Sequence, residues 1–379
     1  MKLSTFSFEP AIGWSLKEFP PLDSEQTLVM VFAAPEYSDQ PSALWELFEA
    51  YPQATIVGCS TGGEIIGPLV NDASLSVAVL QFERTKVEAV SAKIERPEDS
   101  FAVGAELARK LSSRQLAAVF VLSDGLQVNG SELVKGLRSA LSPGVVVTGG
   151  LAGDGDRFEC TWVISERRPQ SGMVTAVGLY GKRLRVTHGS HGGWDSFGLE
   201  RRVTRSSGNV LYELDGKPAL ALYREYLGER ATGLPATGLL FPLSIRQDAE
   251  AERQVVRTVL AIDEANQSMT FAGDIPQDCM AQLMRANLDR LVHGAGTAAE
   301  QAKWKTPGSE PALAIAISCI GRRLVLGERV EEETEITLDH FPKGTAQVGF
   351  YSYGEISPYV DGACDLHNQT MTLTTFSEA

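Results

Sequence analysis

The sequence predicts an α/β and α+β protein: two mixed-sheet domains with helices packed on the sheets. Three observations carry the prediction. The first two hundred residues alternate short apolar runs with amphipathic stretches, the pattern of an α/β layer fold. The second half mixes strand-sized runs with helical ones less regularly. The chain has 379 residues, more than one hydrophobic core normally serves.

The elements follow in order. Thr27 to Ala33 (TLVMVFA) is an apolar, strand-sized run, and 41–50 reads as a helix. Ala54 to Val57 leads into the turn GCSTGGEI, and Ser74 to Phe82 is a further strand. Phe101 to Leu111 has helical periodicity, with acids before it and Arg109 and Lys110 at its end, matching the helix dipole. Ala117 to Leu122 is continuously apolar, as a strand covered on both faces should be. A helix begins at Ser131, and the strand at Val145 to Thr148 runs into GGLAGDG. Met173 to Val186 reads as a hairpin turning at Tyr180-Gly181-Lys182.

A boundary is expected near 205–220, giving domains over 1–215 and 216–379. Asn209 to Asp215 reads as a strand and Ala219 to Leu227 as a helix. Later strands are expected at Gln254 to Ile262, Ser268 to Gly273, Ala312 to Ser318 and Gln347 to Tyr353. Helices are expected near Met280 to His293 and Glu328 to Phe341, and loops at 229–238 and 294–311. No internal repeat of fixed short period is visible.

Composition narrows the function. With 48 acidic and 34 basic residues the formal net charge is −14, a field that repels phosphate backbones and anionic membranes. One local basic patch can still hold a small anion. The start of the chain has no apolar signal-peptide core, and no apolar run reaches the ~18 residues of a membrane-spanning helix. A cytoplasmic location is expected. The five scattered cysteines, Cys59, Cys160, Cys279, Cys319 and Cys364, form no CxxC pair, which argues against disulfides and structural zinc.

Two glycine-rich turns stand out. GCSTGGEI places Cys59, Ser60, Thr61 and Gly62 where a strand ends, and glycine permits the close backbone approach by which N–H groups meet a ligand. It lacks the spacing of a P-loop or a dinucleotide turn. A nucleophilic Cys59 would need a partner in space. GGLAGDG brings Gly149, Gly150, Asp154 and Asp156 to the end of another strand. Strand ends converge on ligand crevices in α/β sheets, so the two turns are expected side by side. The aspartates suit a cation or a helix cap. Arg322 and Arg323 suit a carboxylate, or an internal glutamate. No hydrolase, zincin or kinase motif is present, so a binding protein is expected rather than an enzyme, with Cys59-dependent hydrolase or transferase chemistry as the alternative.

Taken together, IVGCSTGGEI (56–65), VVTGGLAGDG (146–155), SCIGRRLVLGERVEEE (318–333), GFYSYGEISP (349–358) and LHNQTMTLT (366–374) resemble the FIST proteins, in which a FIST N domain precedes a FIST C domain. The resemblance runs from about residue 27 to the end of the chain. It implies an intracellular sensor of small ligands, amino acids among them. HGSHGGWDSFG (188–198) and the segment 209–228 look more like the nitric-oxide-sensing haemoproteins of that family, the NosP subgroup. That likeness implies haem b, with nitric oxide as the ligand and a histidine kinase or cyclic-di-GMP enzyme as the partner. It makes His188 the axial metal ligand, with His191 and His367 as lesser candidates. Trp194 and Phe197 would then be pocket walls, and the surrounding glycines would leave room for the macrocycle. The haem-free alternative is a sensor of an amino acid or small metabolite. Dimerisation is left open.

Overall fold

Three pairs of parallel strands carry the α/β pattern. The computed structural model describes residues 1–248, 254–303, 313–359 and 362–378. Thr27–Ala33 lies parallel to Thr55–Ser60, Leu116–Ser123 to Val146–Leu151, and Leu313–Cys319 to Ala346–Ser352. A parallel pair needs a long crossover. Helices Ser42–Ala50 and Gly130–Ala140 provide two of these, and Ile320–Leu326 with Val330–Asp339 provides the third. The six strands are buried along nearly their whole length, which is why they read as apolar runs.

Each pair sits at the centre of its own sheet, flanked in the same way. Leu75–Gln81, Met173–Tyr180 and Met371–Glu378 run antiparallel to the first strand of each pair. Beyond them lie Lys2–Glu9, Lys86–Lys93 and Leu184–His191. On the other side, the second strand of each pair receives a strand from another part of the chain. Val163–Ser165 joins Thr55–Ser60, Gly354–Pro358 joins Val146–Leu151, and Glu64–Ile66 joins Ala346–Ser352. The core is one unit used three times, each lending a strand pair to a neighbour in a closed cycle. The unit is far longer than a short solenoid period, and its helices and insertions differ in length.

All three sheets turn one face to a shared core. Phe32, Phe120, Ile317, Phe350 and Phe376 meet there, and the rings of Phe32 and Phe350 stack with centroids 4.7 Å apart. Helices cover the outer faces. Gly58, Gly149 and Gly349 occupy matching places in the three second strands. A Cβ at any of them would overlap the carbonyl oxygen of Val31, Val121 or Ala316 on the paired strand.

A fourth sheet of eight strands, including Asp195–Ser207, Val255–Arg257 and Met280–Arg285, is inserted into the third unit, before helix Leu288–Gln301. It has its own apolar core with helix Ala219–Leu227. Strands from both sides of residue 215 share the second and third sheets.

Several expectations need correction. Met173–Tyr180 and Leu184–His191 do not pair; the first belongs to the second sheet and the second to the third. Gly181 (φ 146°) lies where the chain steps between them. The helix expected near Met280 to His293 is strand Met280–Arg285 followed by the start of helix Leu288–Gln301. That helix also takes 294–301 out of the expected loop, whose positions 304–311 lie outside the described residues. So does Ala312 of the expected strand.

Gly58→Ala and Gly349→Ala are each expected to destabilise the fold by about 3 kcal/mol, the upper range for overpacking, while Gly67→Ala, where a Cβ has open space but a positive φ, costs about 1 kcal/mol. Urea denaturation followed by circular dichroism measures the difference.

Candidate functional site

The turns that leave the three parallel pairs are tied into a ring. Gly153 N–H donates to Ser60 O (3.0 Å), Gly62 N–H to Tyr351 O (2.8 Å), Tyr351 N–H to Gly63 O (2.9 Å) and Tyr353 N–H to Leu151 O (3.3 Å). The two glycine turns are therefore adjacent. Their polar groups serve one another. Ser60 Oγ accepts from Trp162 N–H at 3.0 Å, and the Thr61 hydroxyl donates to Glu64 and accepts from Gly63 N–H. The Cys59 thiol lies in the shared core, where burial, then the nearby Glu64, pushes its pKa well up. A thiol so placed stays protonated and unreactive. A Cβ on Gly150 would press on Ile317 and Gly354.

Two units end this turn on a buried glutamate held identically. Glu64 accepts from the hydroxyl three residues before it, Thr61, and from Ser74 N–H (3.0 Å) and Oγ (2.7 Å). Glu355 accepts from Ser352 Oγ (2.8 Å), again three residues before, and from Thr370 N–H (3.2 Å) and Oγ1 (2.8 Å). Burial raises their pKa values to about 7 and about 8. In the remaining unit Asp154 collects the N–H groups of Phe158, Glu159 and Cys160 and the Tyr353 hydroxyl. Burial works to raise its pKa, but those donors outweigh it and hold the carboxyl below its ordinary range. Asp154 organises its loop. Asp156 is exposed.

The two arginines also face inward. Arg322 and Glu333 form a fully buried ion pair at 2.8 Å. Arg322 further donates to the carbonyls of Gly192, Leu291 and Gln369. Arg323 grips Asp72 with both terminal nitrogens, at 2.8 and 2.7 Å, and also reaches Gly62 O. Arg322 has no donor to offer a ligand, and Arg323 would first have to release Asp72.

The residues expected around haem do not enclose one. His188 is half-buried, its Nδ1 has no partner, and burial lowers its pKa, so the imidazole is neutral as an iron ligand must be. Space is the obstacle. A Cβ on Gly189 or Gly193 would overlap Ala298 O or Arg290 O, so these glycines admit helix Leu288–Gln301 rather than a macrocycle. Trp194 packs on Leu291 and Leu326 and donates its indole N–H to Gln369 O at 2.8 Å. Phe197 packs beside Tyr226 and Phe241 in the inserted sheet. His191 lies exposed at its strand's end, and His367 Nε2 meets Ser357 O at 2.9 Å. Among the described residues no cluster of three His, Cys, Asp or Glu could hold a metal ion. No helix there is long and apolar enough to cross a membrane.

An apolar cavity of about 20 Å³ lies inside the inserted sheet, lined by residues including Leu211, Tyr223, Met269 and Leu283. It is little larger than one water. Four buried side-chain atoms without partners, on Thr258, Asn368 and Gln369, belong to segments that meet where the inserted sheet adjoins the core. Arg257 donates to Leu366 O (3.0 Å), Asp274 accepts from Asn129 (2.9 Å) and Lys135 (3.0 Å), and Gln369 Nε2 reaches Leu239 O at 3.4 Å. The turn between Leu366 and Gln369 carries Asn368, 1% exposed, with its Nδ2 beside Gly354 and neither amide atom hydrogen-bonded; Gln369 Oε1 is also unpartnered. Buried polar side chains are nearly always paired, and each orphan costs roughly 1–3 kcal/mol. The sequence signal for this site is the polar run His367-Asn368-Gln369-Thr370 between two strands.

Residues 27–217 match the FIST N domain and residues 219–358 the FIST C domain. The chain is also similar to an uncharacterized protein of Methanocaldococcus jannaschii, with 25% identity over 339 residues. That match takes in 82% of this chain and 62% of the archaeal protein's length.

Two predictions follow from this geometry. Hemin titrated into the protein is expected to give no saturable Soret band at one per chain; a sharp stoichiometric band lost in His188→Ala would contradict this. The second concerns Glu64 and Glu355, which keep their protons to about pH 7 and about pH 8 when folded but only to about pH 4.3 when unfolded. The folded state binds more protons in between, so their contribution to stability is full below that window and lost as pH rises through it. Melting temperature should fall from about pH 5 to about pH 8.5, and the double variant Glu64→Gln, Glu355→Gln should flatten the curve.

Proposed function

The chain belongs to the FIST family, with FIST N and FIST C domains in tandem, and from that premise we propose a sensor whose small polar ligand binds in the seam between inserted sheet and core. FIST domains are in general signal-transduction sensors of small ligands. The observation that carries the reading is the buried Asn368 amide with both atoms free. A ligand offering one donor and one acceptor would satisfy it, and only in the bound state.

The seam also suits transmission. The inserted sheet is held to helix Gly130–Ala140 and its cap through Asp274, with Asn129 and Lys135, and to the turn at Gln369 through Leu239. A ligand between these contacts shifts the balance between docked and loosened positions of the sheet, the differential binding a two-state sensor requires. The partner that reads this change is proposed to be a signalling enzyme, a histidine kinase or cyclic-di-GMP enzyme. Haem-based nitric oxide sensing has the neutral His188 in its favour, but the close packing of Gly189 and Gly193 weighs against it. Cys59 chemistry is disfavoured by that thiol's complete burial.

A thermal-shift panel of amino acids, nucleosides and small sugars tests the site. At a hundredfold excess over its dissociation constant, a true ligand adds roughly 2.7 kcal/mol. At least one compound should stabilise the wild type saturably and lose most of that effect in Asn368→Ala. The substitution itself should be neutral or mildly stabilising, since it removes no hydrogen bond. Stabilisation unchanged by Asn368→Ala would put the ligand elsewhere.

A further inference from the structure

The same seam contains a buried cation that no carboxylate of the described residues pairs with. Arg257, at the end of strand Val255–Arg257, is 3% exposed. Its Nε donates to Asp274 O at 3.1 Å, and its NH1 to Val256 O (3.3 Å) and Leu366 O (3.0 Å). Its NH2 has one partner, Ser131 Oγ, at 3.4 Å. A guanidinium has five N–H donors and stays charged in proteins. Here four acceptors serve it, all of them neutral, the weakest at the NH2 end. Among the described residues no carboxylate pairs with it. Arg322, equally buried, has Glu333.

The acids facing Arg257 act at longer range. Asp274 gives its carboxylate to Asn129 and Lys135, and Asp365 Oδ1 accepts from Leu366 N–H. Beyond the NH2 end, Ser131 stands in the first turn of helix Gly130–Ala140, an eleven-residue helix in which Asn129 Oδ1 accepts from Glu132 N–H. The neighbouring Thr258 Oγ1 is buried without a partner, like the Asn368 amide and Gln369 Oε1. A buried charge lacking a counter-charge is costly. Arg257 lacks an ion-pair partner among the described residues.

We infer that Arg257, with Ser131 at the start of helix Gly130–Ala140, is the anion-recognising end of the seam, and that the ligand bears a small oxyanion, a carboxylate or a phosphate. This rests on the seam being the ligand site and specifies what it takes. The anion oxygens accept from Arg257 NH2 and from the Ser131 hydroxyl, and the polar remainder of the ligand extends toward the Asn368 amide. Binding joins a residue of the inserted sheet to one of the core.

Acetate, succinate, inorganic phosphate and neutral acetamide, at constant ionic strength against chloride, test the inference by calorimetric titration and thermal shift. An oxyanion should bind the wild type saturably and weaken roughly ten- to a hundredfold in Arg257→Gln, the range for hydrogen bonds to charged groups. Arg257→Lys, which keeps charge but not the fork, should weaken it less; this variant and Ser131→Ala carry the test if Arg257→Gln does not fold. Succinate or acetate binding better than phosphate identifies a carboxylate ligand, and the reverse order a phosphate one. Anion binding unaffected by all three variants would mean an adventitious surface ion and overturn the assignment. Acetamide binding that depends on Asn368, with no oxyanion effect, would overturn the anion assignment and leave the seam as the ligand site. If none of these compounds binds and the wider metabolite panel is also silent, both readings fall.

Discussion

The buried ion pair between Arg322 and Glu333 fixes how the molecule is assembled. Its arginine accepts no solvent and reaches three carbonyls besides the carboxylate: Gly192, Leu291 and Gln369. Gly192 lies just before the inserted sheet and Leu291 just after it, so one guanidinium clamps both ends of the insertion onto the core. Glu333 is held in turn by Ser318 Oγ at 2.9 Å and the Tyr351 hydroxyl at 2.7 Å. Removing either partner would strand a buried charge, a loss of about 3–5 kcal/mol. Because Gln369 O belongs to the same clamp, the turn carrying Asn368 is positioned by it too.

The threefold arrangement explains why the turns at the strand ends do not open into the crevice usual in an α/β fold. Crevices at strand ends open because neighbouring loops diverge at a switch point. Here the three units exchange strand pairs in a closed cycle, and each turn meets the next across backbone hydrogen bonds. Glu64, Asp154 and Glu355 then complete the ring from within. The insertion breaks the threefold symmetry. It adds a surface against helix Gly130–Ala140, where Asn129 and Lys135 of the core meet Asp274 of the insertion.

Much of the core was legible because parallel strands buried on both faces must be apolar along their length. Thr27–Ala33 and helix Ala219–Leu227 fall on the stretches read from sequence. The glycine turns were legible too, though their role was not: glycine's lack of a side chain serves close strand approach as readily as ligand approach, and sequence cannot separate the two. The error at Met280–Arg285 has the same origin, since MAQLMR consists of good helix formers that tertiary pairing with Asp195–Ser207 overrides. The hairpin at 173–186 failed because adjacency in sequence says nothing of which sheet receives the second strand. Gly189 and Gly193 looked like space for a macrocycle and are instead occupied by the backbone of a helix more than ninety residues on.

Arginine shows where sequence reasoning about sites runs out. Arg322 and Arg323 stood out as an adjacent pair near a glutamate-rich helix, while Arg257 sat inconspicuously in QVVRTV. Charge in the sequence marks all three equally. What separates them is whether the fold supplies a counter-charge: Glu333 for the first, Asp72 for the second, and for the third only carbonyls and a serine hydroxyl. A fold that closes most of its polar interactions internally makes the few open ones informative. Arg257, Thr258, Asn368 and Gln369 belong to elements far apart in sequence, and they have in common the seam between inserted sheet and core. That seam is where the position of a whole sheet depends on a few hydrogen bonds.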